Sequence, residues 1–384
     1  MVFIPPTGST GSGASIEVTV VRPGGEPAAG AVVHFQRLDT REANWRTATT
    51  DASGNAELAP VRSGSLYWVA AEQEDPEWSV LGGGGKVYAP HSGSTELEIQ
   101  LFTPRTGGLV ISEAYLNAPP NWETGGTFYE GSKYLEVANN GDELVYLDGM
   151  LIGKVYSSWS DNSRYGHSRC EDTVVMRRDS AGVWSRTFWK FPGSGGEHPL
   201  APGDVAVLAV LAADHRQIHP TMLDLSGADF EFVRPGSADN PAAPNMISVG
   251  PYSPWEFGSP FFGYNGFWFL SGAGDPESFP IAANPGIMAG QPPMWYRRIP
   301  AEILHDVAFI WQDQTGSPHD DPIPCVDPVH PDFDRIPGGF VRSDDLEFSA
   351  QRRRITVGGQ PRLLDTNTSM IDFVKAPRRP GRLP

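Results

Sequence analysis

Thiols, long apolar runs and positive charge are all scarce in this chain, and each scarcity narrows what the protein can do. Cys170 and Cys325 are its two cysteines. Neither lies in a CxxC or Cys/His spacing, which argues against a thiol-based metal site. In an exported chain the pair has the option of one long-range disulfide, which would restrict chiefly the unfolded state; the alternative is two separate buried thiols. No stretch approaches the roughly 20 apolar residues that span a bilayer. The opening MVFIPPTGSTGSGAS has neither the basic region nor the apolar core of a secretory leader, so export either takes another route or follows removal of a leader outside this numbering. Lys and Arg total 29 against 46 Asp and Glu, a formal charge of -17. That balance argues against nucleic acid and anionic membranes, which recruit clustered cations, and leaves cations and neutral ligands open.

Glycine and proline are abundant. With 43 Gly and 36 Pro among 384 residues, 39% hydrophobic and 20% charged, the chain is globular, and short strands joined by rigid turns suit it better than long helices. The expectation is an all-β protein with more than one core.

Val2, Phe3 and Ile4, followed by Pro5-Pro6 and a Gly/Ser stretch, read as a small apolar patch on a tether over residues 1–13. Either the terminus is disordered or this arm adds a strand to a neighbouring subunit. From residue 14 to 103, SIEVTVV, AVVHFQRL, WRTATT, NAELAPV, LYWVAAEQ and the run 95–102 are short alternating or β-branched segments between turn clusters, as in a small β-sandwich. Gly82–Lys86, GGGGK, lacks the phosphate-loop spacing and reads as a surface loop. GGEPAAGAVVHF, TTDASGNAEL and GSLYWVAA together resemble transthyretin-like or carboxypeptidase-regulatory-like modules, which implies a spacer or interaction role.

The larger domain, 107–376, is followed by a short tail, 377–384. Tyr134 to Ile152 alternates on either side of Asn139-Asn140-Gly141-Asp142 and turns again at Asp148-Gly149, which predicts a three-strand meander with positive-φ backbone in the first turn. Val205 to Leu211, after Pro202-Gly203-Asp204, predicts a central strand buried on both faces. Pro300 followed by AEILHD predicts the chain's one helix. Asp365 to Ser369 is a turn whose side chains cap backbone groups. The blocks LVISEAYLN, GSKYLEVANNGDELVYLDGMLIG, HPLAPGDVAVLAVLAADH, LDLSGADFEFV, SAQRRRI and LLDTNTSMIDFV, in that order, resemble the domain of unknown function 4876 family. The resemblance implies a lamin-tail-like, immunoglobulin-like sandwich with long loop insertions behind a regulatory-like sandwich, on exported or surface-attached bacterial proteins.

Two segments offer binding chemistry. His319, Asp320, Asp321, Asp327 and His330, with Asp332 and Asp334, sit among prolines and can supply oxygen and imidazole ligands to Ca²⁺ or Zn²⁺, although their spacing fits no EF-hand or HExxH; a solvated acidic loop is the alternative. Tyr252, Trp255, Phe261, Phe262, Tyr264 and Trp268 can stack on flat ligands or anchor an interface, or else fill the core; in GFWFL, Phe267 and Phe269 fall on one face and Trp268 on the other. GxSxG, GxGxxG and HExxH are absent. Glu113, Glu136 and Asp148 lie in the resembling blocks without an assignable role, and Arg352-Arg353-Arg354 reads as a source of ion pairs. The expected function is a non-enzymatic extracellular or cell-surface structural and interaction protein that binds protein partners or itself. The alternative is a solute- or ion-binding accessory of an outer-membrane transporter, with aromatic run and His/Asp loop converging on one pocket.

Overall fold

The computed structural model describes residues 13–37, 45–116, 130–156, 170–232, 239–251, 266–287, 289–313, 330–335, 338–342 and 346–383. The chain divides into two compact units, residues 1–104 with 356–360, and residues 105–355 with 361–384.

In the first unit the alternating runs form β1 (Ala14–Val21), β2 (Val32–Arg37), β3 (Trp45–Thr49), β4 (Asn55–Leu58), β5 (Leu66–Asp75), β6 (Ser79–Tyr88) and β7 (Gly93–Gln100). A sheet ordered β4-β1-β7 faces one ordered β3-β2-β5-β6. Ile16, Val18 and Val20 of β1 share a core with Val33 and Phe35 of β2 and Val69 and Ala71 of β5. These are every second residue of each strand, so the period-2 pattern directs one face of each inward. Burial of such a side chain contributes about 1.5–3 kcal/mol.

GGGGK is part of a strand. Gly82 to Lys86 lie within β6 and pair with Trp68 to Glu72 of β5, which corrects the loop expectation. The glycines are there for proximity: a Cβ on Gly83 would stand 2.1 Å from the Gln100 carbonyl oxygen, and one on Gly85 would stand 3.3 Å from Leu97 Cδ1. Absence of side chains lets β6 come close to β7.

The second unit begins with β8 (Leu109–Tyr115), β9 (Tyr134–Asn139), β10 (Val145–Tyr146), β11 (Leu151–Lys154), α1 (Cys170–Arg177), β12 (Gly182–Ser185) and β13 (Phe188–Lys190). It continues with β14 (Pro199–Leu200), β15 (Val205–Ala209), β16 (Phe230–Glu231), β17 (Ile247–Ser248), β18 (Gly266–Ser271), β19 (Ile281–Ala283) and β20 (Trp295–Pro300). The remaining elements are β21 (Leu304–Asp313), β22 (Gly338–Arg342), β23 (Phe348–Arg352), β24 (Arg354–Val357) and β25 (Gln360–Leu363), a pair of which residues 356–360 count with the first unit, α2 (Ser369–Asp372) and β26 (Phe373–Pro377).

Two six-stranded sheets dominate, ordered β16-β15-β9-β8-β23-β26 and β17-β13-β11-β18-β21-β22. Leu109, Ile111, Leu135, Val137 and Leu208 of the first sheet pack against Ile152, Trp189, Trp268, Leu270 and Ile310 of the second. The molecule is therefore an all-β, sandwich-type fold. β15 is interior to its sheet and its last four residues are buried, as the apolar run at 205–211 predicts.

Three local expectations change. β9, β10 and β11 do not form a meander: β9 pairs with β8 and β15, β10 with β14, and β11 with β13 and β18. The turn after β9 has no positive φ among Asn139 to Asp142; the positive value falls at Gly149, φ 75. Side chains build the turn instead. Asn139 Oδ1 accepts from Gly141 N at 3.0 Å while its Nδ2 donates to the carbonyls of Glu143 and Leu200. After Pro300 only a 3-10 turn, Ala301–Ile303, precedes β21. Pairing of β21 with β18 and β22 overrides the local helical pattern, and the eight-residue helix is α1.

A charged network joins the two sheets. Register shifts in β8 between Ile111 and Glu113, and such a bulge redirects backbone groups. The Ile111 N–H donates to Asp306 Oδ2 at 2.7 Å, and the Ile111 carbonyl accepts from Arg352 Nε at 2.9 Å. Arg352 also donates to the Leu364 carbonyl at 2.9 Å and to Asp306 at 2.7 Å, with Asp365 and Asp372 at 3.4 and 3.6 Å. Its side chain is 1% exposed. Burial alone would weaken the guanidinium's hold on its proton, but the surrounding aspartates raise that hold above the ordinary value. Burial pushes Asp306 upward and takes Asp372 to about 7.

Gly83→Ala should destabilise the first unit by about 3 kcal/mol, the cost of overpacking against backbone, whereas Gly85→Ala should cost under about 1 kcal/mol because Leu97 can move. Urea unfolding of the two variants checks the order; equal stabilities would contradict the close-approach account.

Candidate functional site

The outer face of the β8–β9–β15 sheet carries paired acids. Because of the bulge, Glu113 and Glu136 lie opposite one another in adjacent strands and both are fully buried. Glu113 Oε1 accepts from the Tyr134 hydroxyl, from Ser349 Oγ at 2.6 Å and from the Arg379 N–H at 3.2 Å. Glu136 accepts from Ser112 Oγ and from the Gly381 N–H, each at 2.8 Å. Burial raises Glu113, and burial reinforced by the Glu113 charge pushes Glu136 to about 8. The C-terminal segment covers the pair, so these carboxyls hold structure rather than line a cleft.

Beside them, at the start of β15, the surface opens into a groove of about 740 Å³. Gly203, with φ 80, turns the chain after β14, and the Gly203 N–H donates to the Asn139 carbonyl at 2.9 Å. On one side, Asp148 shapes the loop before β14: its carboxylate accepts from Gly195, Glu197 and His198 N–H at 3.3, 3.0 and 2.9 Å. Burial works against ionisation of Asp148, but hydrogen bonds centred on Glu197 and His198 hold its carboxyl well below the usual carboxylate range. His198 meets the Phe230 ring edge-on with centroids 4.9 Å apart. On the other side, Asp229 Oδ2 accepts from Val207 N at 2.8 Å. Glu197, Asp204 and Asp229 line the groove with His198, apolar walls come from Leu147, Leu200, Phe230 and Leu383, and among the described residues no Lys or Arg lines it. Such a surface attracts cationic groups and disfavours anions. Among the described residues no group of three or more His, Cys, Asp or Glu is placed to hold a metal ion.

Of the residues singled out by sequence, those that are described fall elsewhere. Trp268, a candidate stacking ring, has 0% exposure and belongs to the sandwich core, and Phe269 on the opposite face is equally buried; both faces of β18 are covered, which removes Trp268 from surface binding. Tyr252, Trp255, Phe261, Phe262 and Tyr264 lie outside the described residues, as do Val2, Phe3, Ile4, His319, Asp320, Asp321, Asp327 and Cys325, and of Cys170 only the backbone, at the start of α1, is described. His330 Nδ1 is 3.3 Å from Asp332. Asp334 is buried and structural, accepting from Phe309 N, Ser369 N and Ser369 Oγ at 3.0, 3.0 and 2.6 Å, with burial pushing it to about 8. The groove's carboxylates escaped notice because each sits in a turn, where Asp and Glu are common; the available signal was Pro-Gly-Asp directly before a strand buried on both faces.

Glu136 gives a pH dependence with a definite sign. Its folded value, about 8, lies above the ordinary 4.5, so the folded state holds the proton more tightly and stability falls as pH rises from about 4.5 to about 8. Glu136→Gln should remove on the order of 3 kcal/mol of that decline, leaving the part due to the other raised acids, Glu113, Asp306, Asp334 and Asp372. Thermal melts across this range check it; parallel profiles for both proteins would contradict the assignment.

No family model matches the chain, and no curated protein matches it. Among solved structures it is similar to a DUF4876 family protein from Bacteroides thetaiotaomicron, with a TM-score of 0.54 and 18% sequence identity, over 96% of this chain and 98% of that one. That likeness establishes the fold along nearly the whole length and carries no activity with it.

Proposed function

We propose that this is a non-enzymatic interaction protein of the cell surface or extracellular space, and that its second unit engages a protein partner through the acidic groove. The observation that carries this reading is the groove itself, an open concavity with apolar walls and a rim of exposed carboxylates beside an interior strand. The paired acids Glu113 and Glu136 are hydrogen-bonded and covered, an arrangement suited to structure rather than to hydrolysis. Similarity to a DUF4876 family protein supports membership of that family, with a transthyretin-like or carboxypeptidase-regulatory-like first unit and a lamin-tail-like second. Self-association into a surface assembly is one form of the same function. The alternative, a solute- or ion-binding accessory of an outer-membrane transporter, calls for the aromatic run and the His/Asp loop to converge on one pocket; of these, the described Trp268 and His330 do not line the groove.

Gly227 lines the groove, and a Cβ there would meet nothing within 4 Å, so Gly227→Trp should fill the space without disturbing the fold. In native extracts of the producing cells, sedimentation should find the wild type in a particle larger than one chain and the variant released from it. Monomers in both cases, or assemblies unaffected by the substitution, would refute this reading.

A further inference from the structure

The groove ends on a stretch of β15 whose backbone faces away from its neighbour. The Asp204 carbonyl accepts from Asn139 N at 3.0 Å, so Asp204 turns toward β9. Backbone direction alternates along a strand, and Val205 therefore presents its N–H and carbonyl to the opposite edge. Val207, two residues on, confirms the phase: it donates to the Asp229 carboxylate and its carbonyl accepts from Asp229 N at 3.0 Å. Along β15, β16 pairs with Leu208 and Ala209. Before it the chain curls back, with Ala228 N donating to the Leu225 carbonyl at 3.0 Å, and this leaves the groove open beside Val205. Both Val205 and residues 226–229 line it.

Resting on the reading of this groove as the interaction site, we propose that it takes an extended, basic peptide segment of a partner protein. The segment bridges to the Val205 backbone as a short added strand. A Lys or Arg side chain meets the carboxylates of Glu197, Asp204 and Asp229, and a neighbouring apolar side chain packs against Phe230 and Leu200. Charge complementarity selects this occupant: among the described residues the lining carries three carboxylates and no Lys or Arg, and the chain is at -17 overall, so an acidic segment would be repelled. The edge hydrogen bonds fix an extended backbone, and the carboxylates choose the sequence.

The probes are two fluorescein-labelled, end-blocked peptides, alternating Val with Lys and alternating Val with Glu, titrated into the full chain by fluorescence polarisation. The Val/Lys peptide should bind, and high salt should weaken it. Glu197→Gln with Asp204→Asn should reduce affinity at least about tenfold by removing attraction. Val205→Pro, which deletes the edge N–H, should do the same, and the double carboxamide variant keeps the test valid if the proline variant fails to fold. Equal binding of both peptides, no binding of the Val/Lys peptide, or unchanged affinity in the carboxamide variant would overturn the inference. If Gly227→Trp abolishes assembly while the Val/Lys peptide does not bind, the groove remains an interaction site and the basic strand is wrong. If the peptide binds as described but assembly ignores Gly227→Trp, the broader function fails alone.

Discussion

A guanidinium sealed between two sheets fixes the geometry of the second unit. Taking Arg352 out of water is costly, and the cost is offset because every direction of its fork finds an acceptor: the Ile111 and Leu364 carbonyls and the Asp306 carboxylate. The bulge in β8 is what makes Ile111 available, and Asp306 belongs to the facing sheet. One side chain thus ties β8 and β23 to β21. It also gathers the closing segment, where Asp372 accepts from Thr366 N, Thr366 Oγ1 and Thr368 N at 2.9, 2.8 and 3.1 Å. With β8 and β23 held, β9 and then β15 follow in order, and the groove lies at the far side of that series.

Carboxylates play two opposed roles in this fold, and environment alone separates them. Glu113, Glu136, Asp334 and Asp372 are buried and pushed upward, and they knit backbone to side chain. Glu197, Asp204 and Asp229 are exposed at the groove, where water stabilises their charge and a cation can reach them. The buried set positions the sheet; the exposed set gives its edge a field. A chain so rich in acids therefore spends them on architecture as well as on recognition.

Much of the fold was legible because half-buried strands alternate. Runs such as SIEVTVV and LYWVAAEQ each sit within one strand, and the apolar stretch after Pro202-Gly203-Asp204 supplies all of β15 and runs two residues past its end. β6 was not legible, because its glycines serve the close approach of β7, a contact made in space rather than in sequence. The helical pattern after Pro300 yielded to sheet pairing, and the meander dissolved because β9, β10 and β11 each find a different partner. Trp268 shows the limit of the aromatic pattern: the rings suit stacking, an interface or the core alike, and the facing sheet decides for the core at Trp268. The groove was the hardest to foresee, since its three acids come from separate turns and are indistinguishable by type from the rest of the 46.

The claim that Arg352 holds the two sheets in register is tested most directly by equilibrium unfolding of Arg352→Met, which keeps bulk and removes the charge and its donors. The account predicts a loss of about 3–5 kcal/mol, the cost of leaving buried acids and the Ile111 carbonyl without their partner. A variant within about 0.5 kcal/mol of the wild type, the range of an ordinary surface substitution, would contradict it.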